Sequence, residues 1–160
     1  MASAIALVGI LTDEPTINLE AAKRSLIGTL VGDSLGLPYE KLPKGRNLRL
    51  MPFPLRQRIC FGRGFPSDDT LLSLFVLQSL VECGSNEDKF VARFARRLRT
   101  WFLSLPPGIG LSTVKACMRL CVRVNPRRSG IKSAGNGAAM RAAVLGAALC
   151  DDEEQRARFV

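Results

Sequence analysis

Ser67-Asp68-Asp69-Thr70 sets two adjacent carboxylates between two hydroxyls, directly ahead of the apolar run Leu71, Leu72, Leu74, Phe75, Val76 and Leu77. Such an oxygen-rich half-site suits a hard divalent cation such as Mg2+, because neighbouring carboxylates resist joint ionisation unless a cation lies between them. A second reading of the same residues needs no metal. Ser is a favoured N-cap, and acids in a first helical turn gain about 0.3–1 kcal/mol each from the helix dipole, so the motif also reads as a plain helix start. Two further segments carry chemistry. Gly28-Thr29-Leu30-Val31-Gly32-Asp33-Ser34-Leu35-Gly36-Leu37-Pro38-Tyr39-Glu40 ends on a carboxylate just past a helix terminus. Gly135-Asn136-Gly137 opens into Ala138-Ala139-Met140-Arg141, and such turns present backbone N–H groups and a positive dipole end that suit a phosphate or pyrophosphate. Taken singly, Gly-Asn-Gly is a turn and Glu40 a surface acid.

These motifs need helices to hold them. Apolar periodicity predicts a helix from about Leu19 to Leu35, capped by Asn18, with Ala22, Leu26, Ile27, Leu30 and Val31 as its buried stripe. Further helices are expected over 68–83, 86–103, 112–122 and 137–149, and another starting from Asp151, which stands in capping-box spacing with Glu154. Gly28, Gly32 and Gly36 recur along one side of the first helix at about 1 kcal/mol each relative to Ala, which predicts the close approach of another backbone or a ligand. Between Pro38 and Pro66 the chain is Pro-rich, basic and non-periodic, the pattern of a long excursion that covers a site.

Composition bounds the class. The 160 residues suit one domain, and 47% hydrophobic with only 6% aromatic content favours an all-α globule. We expect residues 1–17 to be an N-terminal extension and 18–160 a single domain; Met1 to Leu11 is apolar but too short to span a bilayer. The net charge of +9 raises the question of nucleic acid. In 86–103, however, Phe90, Phe94, Leu98, Trp101 and Phe102 alternate with Lys89, Arg93, Arg96, Arg97 and Arg99 as in an ordinary amphipathic helix with a solvated basic face. Nucleic acid and membrane are therefore not the expected partners. Cys60, Cys83, Cys117, Cys121 and Cys150 show no CxxC spacing and there is no histidine to complete a zinc set, so reduced core thiols in a cytoplasmic protein are expected.

In combination and in this order, the motifs are specific. The G-x-x-x-G-D-x-x-G-x-P-x-E helix and turn, the Ser67-Asp68-Asp69-Thr70 helix start, Pro107-Gly108-Ile109-Gly110 with Thr113, and Ser133-Ala134-Gly135-Asn136-Gly137-Ala138-Ala139-Met140-Arg141 together resemble the ADP-ribosylglycohydrolase family, which includes the dinitrogenase-reductase-activating glycohydrolase, over about Leu19 to Val160. The resemblance implies an all-α, multi-helix orthogonal bundle that holds two Mg2+ ions in a cleft and cleaves the glycosidic bond at the distal ribose of ADP-ribose, releasing it from a modified protein or other conjugate.

Residue by residue, the resemblance implies metal ligation by Asp68, Asp69, Ser67 and Glu40, with Ser67 standing where the family usually has Thr. It implies a catalytic role for Glu40, on a mobile flap, and for Asp68. It assigns ribose and phosphate contacts to Asp68 and to the turn Ser133, Ala134, Gly135, Asn136 and Gly137. The family's second metal motif, Asp-x-Asp-Thr, has no counterpart after Asn136, so the resemblance covers roughly the first half of a family member and implies a bundle incomplete at the C-terminus and inactive by itself. The last predicted helix also reaches Val160 without a C-terminal signal, which suggests a natural continuation. A non-catalytic ADP-ribose-binding or assembly module is the alternative, and a basic nucleic-acid-binding helical domain a third reading.

Overall fold

Most helix starts among the described residues are set by side chains that accept otherwise unpaired backbone N–H groups. In the computed structural model, which describes residues 17–40, 42–43, 45–46, 54–106, 108–133 and 135–159, Asn18 caps α1 (Leu19–Gly36) through the Ala21 N–H at 3.0 Å. A 3-10 turn, Leu37–Tyr39, follows with Pro38 in its first turn. Ser67 caps α2 (Asp68–Cys83) and Asn86 caps α3 (Glu87–Leu103). Next come α4 (Leu111–Cys121), α5 (Pro126–Ser129), α6 (Gly137–Ala148) and α7 (Glu153–Phe159). Every element among the described residues is helical, as the composition predicts, and no helix there is long and apolar enough to cross a membrane.

At the centre lies α2, which packs against α1, α3 and α6. Val76, Leu77 and Leu80 of α2 meet Ala22 of α1 and Val144, Leu145, Ala148 and Leu149 at the end of α6. Leu80 and Leu149 are fully buried, so truncating either to Ala costs about 2–5 kcal/mol. The start of α1 is also tied to the end of α6: the Asn18 N–H donates to Ala148 O at 2.8 Å and its Nδ2 to Asp151 Oδ2 at 3.0 Å. These contacts fix where the polar ends of α1, α2 and α6 lie.

Several expectations need correction. Asp151 does not cap the last helix; Asp152 does, accepting the Gln155 N–H at 2.8 Å, while Asp151 faces Asn18. A Cβ added to Gly28, Gly32 or Gly36 would meet nothing within 4 Å, so of the two expected neighbours no described backbone lies against that glycine row, while Gly32 and Gly36 line an open cleft. The thiols are not all in the core: Cys117 is buried, but Cys60, Cys121 and Cys150 are exposed. The short α5 was not expected, although Asn125-Pro126 is a cap followed by Pro at the first helical position, and the Arg127 N–H does donate to Asn125 Oδ1. Ile17, placed with the extension, packs against the core; Met1 to Leu11 lies outside the described residues. On the basic face, Arg97 and Arg93 pair with Glu82, and Arg127 pairs with Asp88 and Glu87.

Candidate metal and ligand site

The C-terminal turn of α1 and the N-terminal turn of α2 meet through one carboxylate. Asp33 Oδ2 accepts the Ser67 N–H at 2.8 Å, the Thr70 N–H at 3.3 Å and the Thr70 hydroxyl at 2.5 Å. Ser67 Oγ accepts the Asp69 N–H at 3.3 Å, which makes Ser67 the helix cap of the metal-free reading while leaving its oxygen a second lone pair. Cap and candidate ligand are thus the same residue. Asp33 was not singled out from the sequence; the signal for it was its place in the Gly-Asp pair of the first motif.

Asp33, Glu40 and Asp69 line one cleft of about 540 Å³, with Gly32, Gly36 and Tyr39 on one side and Met140 and Ala143 of α6 on the other. Glu40 is exposed at the rim, directly after buried Tyr39. Burial first, then the charges of Asp68, Asp33 and Glu40, push the Asp69 carboxyl from 3.8 up to about 6, against the opposing pull of Arg141. The four carboxylates expected or found here therefore share one electrostatic environment.

That environment suits a hard divalent cation. Asp33 Oδ1 is buried with no hydrogen-bond partner among the described residues, and burial first, then the neighbouring acids, raise Asp69 against the pull of Arg141. Both features are relieved by an ion coordinated through oxygen. The set is nevertheless open: among the described residues no three acidic or thiol groups converge in a ready-made metal cage.

The Gly-rich turn lies across α6 from this cleft. Ser133, Gly135 and Gly137 line a second cavity of about 320 Å³ together with Ser112 and Thr113 of α4 and Arg141 of α6. Ser133 Oγ accepts the Gly135 N–H at 3.1 Å, and a Cβ on Gly135 would lie 3.3 Å from that oxygen, close enough that the hydroxyl would have to shift by a few tenths of an ångström. Asn136 makes no side-chain cap bond to α6, and is exposed. Ala134 and Pro107 lie outside the described residues. A third cavity, about 380 Å³ and mainly apolar, is lined by Phe90, Phe94, Phe159 and again Arg141.

Comparison with known proteins adds to this geometry. The ADP-ribosylglycohydrolase family profile matches residues 14–160. The chain is similar to a protein of Archaeoglobus fulgidus described as uncharacterized, at 32% identity over 133 residues, which are 79% of this chain and 42% of the relative. It thus spans less than half the length of that relative. No solved structure matches.

Proposed function

Because the chain belongs to the ADP-ribosylglycohydrolase family, we propose that it takes part in Mg2+-dependent hydrolysis of the glycosidic bond that joins ADP-ribose to a modified protein or other conjugate. The observation that carries this reading is the gathering of Asp33, Glu40 and Asp69 in one cleft, beside Asp68 and across α6 from the Gly-rich turn. Ser67, Asp68, Asp69 and Glu40 are the proposed metal ligands, joined by Asp33. When bound, the metal supplies Lewis acidity and holds the ribose hydroxyls. Glycosidic cleavage passes through an oxocarbenium-like state, which carboxylates stabilise and assist by proton transfer. In this reading Glu40, exposed at the rim, takes a proton from an attacking water, and Asp68 orients the ribose. The turn from Ser133 to Gly137 holds the ribose and phosphates. A cytoplasmic setting completes the proposal.

A second reading, binding of ADP-ribose without turnover, is favoured by the open donor set. One pair of measurements separates the two. ADP-ribose release from ADP-ribosylated arginine and serine peptides is followed with Mg2+ and with a chelator, and ADP-ribose and Mg2+ binding are titrated calorimetrically, for the protein and its Asp68→Asn/Asp69→Asn variant. Mg2+-dependent release abolished in the variant supports the hydrolase. Binding of ADP-ribose without release supports the module. Equal Mg2+ affinity in both proteins returns Ser67-Asp68-Asp69 to a plain cap.

A further inference from the structure

Phe61-Gly62-Arg63-Gly64-Phe65 stands in a stretch, 41–66, that contains no acidic residue. Within its described part Arg56, Arg58 and Arg63 are exposed, and among the described residues none of them pairs with a carboxylate. The basic face of α3 differs, because there Arg93 and Arg97 are turned to Glu82. The net charge alone does not separate these two regions; the pairing does. Three uncompensated guanidiniums on one short loop attract an anion from outside the chain.

The loop holds this charge around an aromatic tip. Phe61 is fully exposed, and it and Cys60 both take positive φ, at 58° and 50°, which residues with side chains rarely adopt. The turn closes through the Arg63 N–H to Cys60 O at 3.2 Å and the Gly64 N–H to Ile59 O at 3.0 Å. A Cβ on Gly64, which has φ 78°, would lie 2.5 Å from Gln57 Oε1, so the turn folds back onto that side chain. Gln57 Nε2 in turn donates to Ser34 Oγ at 2.7 Å, next to Asp33. The loop is thus anchored on the last turn of α1 while the Phe61 ring stands in solvent. A strained backbone that exposes a large apolar ring gains nothing from burial, and such strain collects where a ligand is met.

We propose that the loop 54–66 binds single-stranded nucleic acid, with Arg56, Arg58 and Arg63 on phosphates and Phe61 stacked on a base. A guanidinium fork matches phosphate, and an exposed ring offers a face to a base that is not already stacked in a duplex. An acidic protein segment would satisfy the arginines but leave Phe61 without a base. A bilayer surface calls for the continuous apolar face of an amphipathic helix, and residues 54–66 form no helix. The inference goes beyond the hydrolase reading and does not depend on it. Because the loop runs directly into Ser67, a bound strand lies beside the candidate cleft.

The test is fluorescence anisotropy with labelled oligo-dT, oligo-U, a DNA duplex and polyglutamate over a salt series, beside sedimentation with phosphatidylserine vesicles. The proteins are the parent, Phe61→Ala, Phe61→Trp, Arg56→Gln/Arg58→Gln/Arg63→Gln and, as a control on α3, Arg96→Gln/Arg99→Gln, each checked by circular dichroism. Phe61→Ala is expected to weaken the single strands by about fivefold to a hundredfold, the worth of one stacked base, without changing the salt slope. Phe61→Trp should keep the binding. The triple Gln variant should lower the slope of log affinity against log salt by about 2, three phosphate contacts at about 0.7 each. Absence of single-strand binding, or binding that survives both loop variants and falls in the α3 control, overturns the proposal. Polyglutamate bound as tightly as oligo-dT overturns it in favour of an acidic protein partner, and Phe61-dependent vesicle binding without single-strand binding in favour of a membrane.

Discussion

Thr70 Oγ1 donates to Asp33 Oδ2 at 2.5 Å, joining the last turn of α1 to the first turn of α2. The same oxygen takes the Ser67 and Thr70 N–H groups, so Asp33 is a cap supplied from a neighbouring helix and a negative charge at the positive end of the α2 dipole. It therefore stabilises the fold and aims the acidic pair with one group.

A stability difference follows from that linkage. Thr70→Val removes one of the three bonds at nearly constant volume and should cost about 1.5–3 kcal/mol, the range for a hydrogen bond to a charged group. Asp33→Ala removes all three and should cost more. Urea unfolding at neutral pH gives both values; a reversed order would show that Asp33 is held by something other than these bonds.

Most of the helical frame was legible because its signals are local. Asn18, Ser67 and Asn86 each announce a helix, and the apolar stripe of α2 recurs in the buried set Leu72, Val76, Leu77 and Leu80. The site was legible only in part. Ser67, Asp68 and Asp69 are adjacent in sequence, whereas Asp33 bonds residues 34 and 37 positions away, a relation that no periodicity encodes. In the sequence Arg141 is only the end of a motif; its place between two cavities depends on how α6 packs against α2. Asp151 and Asp152 show the opposite limit: both can cap, and a contact to distant Asn18 decides which one does.

Asp69 gives a pH signature in metal-free buffer. Its carboxyl is raised from 3.8 to about 6 on folding, first by burial and then by Asp68, Asp33 and Glu40. The folded state thus binds this proton more tightly than the unfolded state, so the contribution is present in acid and is lost as pH rises from about 4 to 6. With chelator present, Asp69→Asn should be more stable relative to the parent at pH 7 than at pH 4. Adding Mg2+ at pH 7 should then stabilise the parent and not the variant. Parallel pH profiles for the two proteins would show that Asp69 is not the strained member of the cluster.

The thiols should separate into classes. Burial, with Cys121 one turn away, pushes Cys117 up to about 11, which leaves on the order of one thiolate in a thousand at pH 8. Cys60, Cys121 and Cys150 are exposed. A disulfide reagent should modify those three rapidly in native protein and reach Cys117 only with denaturant, as read by mass spectrometry of the labelled peptides. Labelling of Cys117 at the rate of Cys121 would show that α4 opens readily.

The last prediction separates fold from ligand at one glycine. A Cβ on Gly137 would sit 3.5 Å from Arg141 Nη1, an ordinary van der Waals contact, so the fold has room for Gly137→Ala. Alanine is also the better helix former, and where the backbone accepts it the exchange is worth about 0.4–1 kcal/mol in stability. The melting temperature should hold or rise. If the ligand approaches the backbone of this turn as proposed, the same methyl group occupies its space, and ADP-ribose affinity should fall by about tenfold, which corresponds to about 1.4 kcal/mol. Calorimetric titration beside a thermal melt reads both quantities on one preparation. An unchanged affinity in a stable Gly137→Ala protein would place the ligand away from this turn, whereas loss of both stability and binding would mean that the glycine serves the backbone instead of the ligand.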